Sequence, residues 1–327
     1  MSRGRKRERI AGNETLIFAE CRADTVSRYR DALLFGFLAV AWGGSFVAIE
    51  VGLDSLPPLL FAAFRYDIGA VLLVAYAAVA CDRWIPRTRS DYLAVLVVGV
   101  FLITAANGLL FVGQQYTTGG VAAILYSLNP VLTTGFARSL LPDDRLSPLG
   151  IVGLLVGLAG VALVVRPDPA NLLAGATGKL LVVTSATSVA FGSVLLRRTS
   201  PTTDSTATTG WGMLVGAVLM HGVSLARGET PRFAAALDPQ VVVPLAYLAV
   251  VATAGAYAVY FGLLERHSPV QINLVSYVVP VVTAFAGWIL LDESLEPVTF
   301  VGFLVILAGF ALIKRETLSE FAGRYSV

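Results

Sequence analysis

The sequence predicts an all-α polytopic membrane protein with ten transmembrane helices arranged as two inverted five-helix repeats. Three observations lead there. The first is composition: 56% of the 327 residues are hydrophobic and 14% are charged. Soluble domains carry roughly 25% charged residues. A soluble fold of this length has too little interior to hide so much apolar surface. The second is a recurrence of apolar segments long enough to span a bilayer, each on the order of 20 residues. The third is an internal echo. Residues 119–141 reappear 150 positions later as residues 269–291, laying Pro130 on Pro280, Val131 on Val281 and Thr133 on Thr283. After a one-residue slip, Pro148, Gly153 and Gly160 face Pro297, Gly302 and Gly309. Two unrelated apolar helices share Leu and Val by chance; a proline and two glycines in register point to duplication.

Residues 1–30 form a basic tail led by Arg3, Arg5, Lys6, Arg7 and Arg9. It is read as a solvated segment that fixes orientation, rather than as a nucleic-acid- or lipid-binding arm. It lacks the apolar core of a cleavable signal peptide, so the first span is expected to act as the insertion signal. Ten spans follow, near 32–52, 57–80, 91–112, 118–141, 147–165, 176–196, 207–226, 241–264, 269–291 and 297–314. Turn residues separate most of them: Leu56-Pro57-Pro58, Pro86-Arg87, Pro142-Asp143-Asp144, Arg166-Pro167-Asp168-Pro169 and Pro231-Arg232. The expected units are a first repeat over 31–166, a second over 175–314 and a short tail over 315–327.

Lys and Arg test the topology. With the amino terminus inside, the inner segments hold the eight basic residues of the tail together with Arg83, Arg87, Arg89, Arg145, Arg197, Arg198, Arg266, Lys314, Arg315 and Arg324, eighteen in all. The outer loops hold four, Arg166, Lys179, Arg227 and Arg232. Both termini are therefore expected in the cytoplasm of a multi-pass protein of the plasma or inner membrane. There Cys21 and Cys81 stay reduced and build no disulfide framework. Five spans per repeat is an odd number, so the second repeat enters the bilayer from the opposite side. Each half can then adopt the other's conformation, giving inward- and outward-open states of equal standing. A membrane enzyme has no such need for inversion, so the architecture favours transport.

Several stretches resemble one family. Ala41-Trp42-Gly43-Gly44-Ser45-Phe46, Phe64-Arg65-Tyr66, Asn129-Pro130-Val131 and the glycine-bearing helix over 153–165 are similar, in order and spacing, to the EamA group of the drug/metabolite transporter superfamily. The resemblance covers about residues 33–314. It implies a ten-helix secondary transporter of small metabolites, often an exporter of amino acids and related compounds, with a central cavity lined mainly by helices 1, 3, 4, 6, 8 and 9. Asp67 departs from the pattern, which has an apolar residue there. Ala190-Phe191-Gly192-Ser193, the second-half copy of the opening motif, is degenerate.

Ionisable groups at membrane depth cost at least about 2.5–3.5 kcal/mol each, so Glu50, Arg65 and Asp67 are functional suspects. Glu50 and Arg65 could pair, either locking helix 1 to helix 2 or serving substrate and protons. Asp67, about ten residues into helix 2, is either a proton-coupling carboxylate or a locally satisfied structural one. The expected lining helices also carry Trp42, Ser45, Asn107, Phe111, Gln114, Tyr126 and Asn129 in the first half, and Tyr257, Tyr260, Asn273 and Tyr277 in the second. Several pair at i, i+3 or i, i+4. Such faces suit either an apolar cavity with a few polar groups or hydrogen bonds between helices. Pro130 and Pro280 are candidate kinks whose freed carbonyls could face a cavity. Gly150, Gly153, Gly157 and Gly160 suit close helix packing or a contact with a second copy of the chain.

His221 and His267 lie far apart, and His221 is expected to be packed or lipid-interfacial. No HExxH, cysteine cluster or Walker loop is present, so no metal, cofactor or ATP chemistry is called for. The expected function is alternating-access secondary transport of small organic metabolites, with the lipid bilayer and a small-molecule substrate as partners and protons as a candidate coupling ion. An organophosphate or nucleotide-sugar antiporter would need more interior cations than Arg65. A polytopic enzyme acting on lipid would need a convergent catalytic cluster, which the sequence does not assemble.

Overall fold

The computed structural model describes residues 30–140, 148–165, 176–230, 238–264, 266, 275–293 and 296–313. Ten apolar helices run through them. They are α1 (Arg30–Leu53), α2 (Pro58–Ala80), α3 (Arg89–Gln114), α4 (Gly119–Ala137), α5 (Pro148–Val165), α6 (Thr177–Thr199), α7 (Ser205–Ala226), α8 (Pro239–Leu263), α9 (Val275–Leu291) and α10 (Pro297–Ile313). Seven are long and apolar enough to cross a membrane outright. The other three, α5, α9 and α10, have 18, 17 and 17 residues, at the short end of the spanning range.

The turn residues start the helices where local chemistry directs. Pro58 and Pro239 sit in the first helical turn, where a missing N–H costs nothing. Thr88 and Asp91 close a capping box on α3. Asp91, 1% exposed, also accepts from the Thr202 and Thr203 amides and so ties the start of α3 to the α6–α7 turn. Helices α3 and α8 each contain a π-helical stretch, Val98–Ala105 and Tyr247–Gly255, about 150 residues apart. The wider turn leaves carbonyls that side chains take up: Thr104 donates to the Gly99 carbonyl and Asn107 to the Leu102 carbonyl. The α4 helix is interrupted between Tyr126 and Asn129, and Pro130 sits at the start of its second piece. Pro280, by contrast, lies inside the continuous α9.

The two repeats are inverted, and the α5–α10 contact shows it. A Cβ on Gly160 would lie 2.8 Å from the Gly302 carbonyl oxygen and from Ile306; one on Gly309 would lie 2.6 Å from the Gly153 carbonyl oxygen and closer still to the Gly157 amide. Gly153, Gly157 and Gly160 are the repeat mates of Gly302, Ile306 and Gly309, each 149 positions on. Each helix therefore meets the other's copy of the surface it presents, as across a two-fold axis. Higher numbers on α5 meet lower numbers on α10, so the helices are antiparallel. A parallel duplication would align them. The same relation recurs elsewhere: Gly69 of α2 abuts Thr253 of α8, and Gly216 of α7 abuts Ile103 of α3.

Helices α2 and α7 are sewn together at both ends. At one end Arg83 and Asp204 exchange hydrogen bonds: the Arg83 amide donates to the Asp204 carboxylate and the Asp204 amide to the Arg83 carbonyl. At the other, Glu229 accepts from the Leu60 amide and the Ser224 hydroxyl. The exterior is apolar: Val79, Leu225 and Leu33 are 91%, 76% and 74% exposed, an arrangement suited to lipid.

Candidate solute-binding site

One face of α1 organises the interior. Trp42, Ser45, Phe46 and Glu50 recur at helical spacing: Trp42 meets α8, Phe46 and Glu50 meet α4, and Ser45 bonds within α1. The Trp42 ring packs on Tyr257 and Tyr260 of α8, with centroids 6.2 and 5.6 Å away. Phe46 stacks edge-on against Tyr126 of α4 at 5.8 Å, and its carbonyl accepts from the Gln114 side chain. Ser45 is spent on its own helix, donating to the Trp42 carbonyl. Between these residues, the paired glycines let α1 approach its neighbours. A Cβ on Gly43 would strike Val282 of α9, where Thr283 donates to the Gly43 carbonyl. A Cβ on Gly44 would strike the Tyr247 hydroxyl, which donates to the Val40 and Ala41 carbonyls.

Helix α2 supplies the charge. Arg65 is 6% exposed and its Nε donates to the Thr253 hydroxyl at 2.9 Å, while its guanidinium carbon lies 5.1 Å from the Tyr66 ring centroid. Tyr66, Tyr126, Tyr247 and Tyr257 are all in electrostatic reach of it. Tyr126 and Tyr257 are half-buried. Ser185 of α6 donates to the Ala106 carbonyl, so the Tyr126 hydroxyl, 2.8 Å from it, is the donor of their hydrogen bond. The result is an aromatic enclosure with phenol oxygens and one guanidinium, built from α1, α2, α4 and α8 and backed by α6. Apolar walls with a few converging polar groups are what a small organic solute requires.

Several expectations change. Glu50 does not pair with Arg65: its carboxylate accepts from the Gly119 amide at 2.6 Å, and its charged neighbours are Glu293 and Asp54. Nor is Asp67 a lone carboxylate. Two residues past Arg65, it points to α7, where His221 Nε2 lies 2.7 Å from its Oδ2 and packs on Phe64. His221, expected to be merely packed or interfacial, is thus a specific partner. Helix 2, not expected to reach the centre, contributes Arg65 and Tyr66. Phe111 is fully buried against Phe61. Asn107 and Asn129 are engaged locally, Asn129 accepting from Thr133. Gln114 keeps a buried carbonyl oxygen with no hydrogen-bond partner among the described residues. Tyr277 is half-buried on α9, and Asn273 and His267 lie outside the described residues, as do Cys21 and both tails. Tyr66, Ser185, Tyr247 and Thr253 escaped the sequence reading; only Tyr66, inside Phe64-Arg65-Tyr66, carried a signal. A separate crevice of about 320 Å³, walled by Leu59, Gly108, Leu109, Val112 and Met220 with Arg227 among its lining, shares no residue with the aromatic enclosure.

The Asp67–His221 pair is 40% and 33% exposed, and side-chain hydrogen bonds between membrane helices average well under about 2 kcal/mol. A double-mutant cycle with Asp67→Asn and His221→Gln should give a coupling of about 0.5–1 kcal/mol by thermal melting. Strict additivity would show that the two side chains do not interact.

Comparison with known proteins agrees with this architecture. The profile of the EamA-like transporter family matches residues 31–166 and again 176–315. The chain belongs to that family. An uncharacterized inner membrane transporter of Escherichia coli, YedA, is 30% identical over 88% of this chain and 92% of its own length. The uncharacterized transporter YvbV of Bacillus subtilis is 26% identical over 91% and 96%. A chloroplastic WAT1-related protein of Arabidopsis thaliana is 27% identical over 84% of this chain but 66% of its own, longer sequence. A crystal structure 20% identical in sequence superposes with a TM-score of 0.61 over 88% of this chain and 97% of that one, which supports the fold. Membership in the family makes the duplicated five-helix unit of this EamA protein its defining element.

Proposed function

We infer that this EamA-family protein is a secondary transporter that exports small organic metabolites, amino acids or related amphiphilic compounds, by alternating access. The observation that carries this reading is the aromatic enclosure held between two inverted repeats. Solute bound there sits beside the pseudo-two-fold axis, so either repeat can seal it from its own side. The seams that join the repeats, α2–α7 and α5–α10, are the natural pivots, because one is tied at both ends and the other interlocks by backbone contact. Both termini face the cytoplasm in this reading, on the strength of the Lys and Arg distribution. A transporter presents substrate to both aqueous phases with no chemical change, and this sets it apart from an enzyme.

The test is counterflow in proteoliposomes of purified full-length protein, preloaded with a panel of unlabelled amino acids, carboxylates and amines. Transport predicts exchange of labelled for unlabelled solute by at least one member of the panel. Chemical conversion of the solute, or no flux of any member, overturns the reading.

A further inference from the structure

Among the described residues, Arg65 is a buried cation without a counter-ion. Of its five N–H donors, the one on Nε is satisfied by Thr253. The terminal nitrogens make no hydrogen bond or ion pair among the described residues. The candidate carboxylates are committed elsewhere: Glu50 to the Gly119 amide and Asp67 to His221, on the α7 side of α2. A guanidinium in low dielectric is strongly disfavoured unless an anion completes it. The Tyr66 ring offsets part of that cost through its face, but it neutralises no charge. Four tyrosines, Tyr66, Tyr126, Tyr247 and Tyr257, lie in electrostatic reach of the guanidinium.

We propose that Arg65 receives the carboxylate of the transported solute and that the class of that solute is a small monocarboxylate with an apolar or aromatic body. The proposal rests on the transport reading and narrows its substrate. A carboxylate matches the planar fork of a guanidinium in two parallel hydrogen bonds. One cation balances one negative charge, which favours a monoanion over a phosphate dianion. The Tyr126 and Tyr247 hydroxyls are already donating to Ser185 and to the Val40 and Ala41 carbonyls, so the guanidinium fork supplies the recognition of the carboxylate. The apolar body then lies on the ring faces of Trp42, Tyr257, Tyr260 and Phe46. Bound solute completes the ion pair inside the membrane, so the empty carrier has an unpaired charge and the loaded carrier does not. This difference favours exchange of one carboxylate for another over return of the empty carrier.

The experiment compares isosteres on the wild-type protein in nanodiscs, with Trp fluorescence and thermal shift as readouts. The probes are acetate, 3-phenylpropionate, phenylalanine, the neutral 3-phenylpropionamide and phenyl phosphate. At least one carboxylate is expected to bind 10-fold or more tighter than the amide and the phosphate. Arg65→Gln should remove that preference and leave weak amide binding within 3-fold. Thr253→Val, which frees Nε but keeps the charge, should retain the preference for acid over amide, so the proposal stays testable if Arg65→Gln fails to fold. Equal binding of acid and amide overturns the assignment, and so does a protein that binds no carboxylate in the panel. The same probes in counterflow separate the two readings. A protein that binds acids but never exchanges them defeats transport alone; one that exchanges amines or amides in preference to acids defeats the Arg65 assignment alone.

Discussion

Gly309→Leu is expected to lower the stability of the detergent-solubilised protein by more than about 3 kcal/mol, at or beyond the upper end of overpacking costs. The side chain has nowhere to go. Its Cβ would already sit 2.6 Å from the Gly153 carbonyl oxygen and at the Gly157 backbone, neither of which can rotate away. The two-fold relation between α5 and α10 makes a second demand: Gly160→Leu meets the Gly302 carbonyl and Ile306 and should cost a similar amount. Because each change forces the same two helices apart, the double variant should cost less than the sum. Gly222→Leu is the control, since a Cβ there meets nothing within 4 Å, and its effect should stay within about 0.5 kcal/mol. Thermal melts followed by size-exclusion fluorescence measure all four. A neutral Gly160→Leu beside a severe Gly309→Leu would mean that the contact is not symmetric and that the inverted pairing is misplaced.

Trp42→Ala should cut the initial rate of counterflow about 30-fold at equal amounts of reconstituted protein, the equivalent of about 2 kcal/mol of lost solute contact. The Trp42 ring packs on both Tyr257 and Tyr260, so its removal opens a wall of the enclosure. Trp288 provides the contrast. It is as large and lies on α9, but it is 62% exposed on the outside and, among the described residues, stacks on Phe285 alone. Trp288→Ala should leave the rate within 2-fold. Equal losses in the two variants would indicate a general effect of removing an aromatic from the bundle, and the enclosure would lose its assigned role.

Much of the architecture was legible because it depends on regularities that run along the chain. Bilayer thickness sets the segment length, so apolar stretches near 20 residues mark helices before any contact is known. Duplication leaves a fixed offset, so Pro130 and Pro280, or Gly160 and Gly309, announce symmetry without coordinates. The Gly43-Gly44 pair stood out only as part of the opening motif; that it lets α8 and α9 approach α1 came from the structure. The polar pairings were opaque for a physical reason. A hydrogen bond needs two side chains on facing surfaces, and the sequence states only which face of its own helix each occupies. Glu50 and Arg65 stand 15 residues apart and face each other plausibly on paper, yet Glu50 is taken by Gly119 and Arg65 by Thr253, partners 69 and 188 positions away. His221 had no feature of its own to suggest Asp67, 154 residues upstream. The π-helical stretches left no trace in hydropathy, because a wider turn rotates the faces of α3 and α8 without altering composition.

The sequence by itself determined that this chain lives in a membrane, that it is all helix, that it is built twice with an odd number of spans per copy, and which family its motifs resemble. These properties follow from solvent, length and repetition, each readable one residue at a time. Only the tertiary structure decided that the guanidinium on α2 reaches an enclosure of tyrosines while its neighbouring carboxylate turns to α7. Helix rotation and crossing angle set which faces meet, and they come from the sum of many small packing contacts that no local stretch of sequence contains.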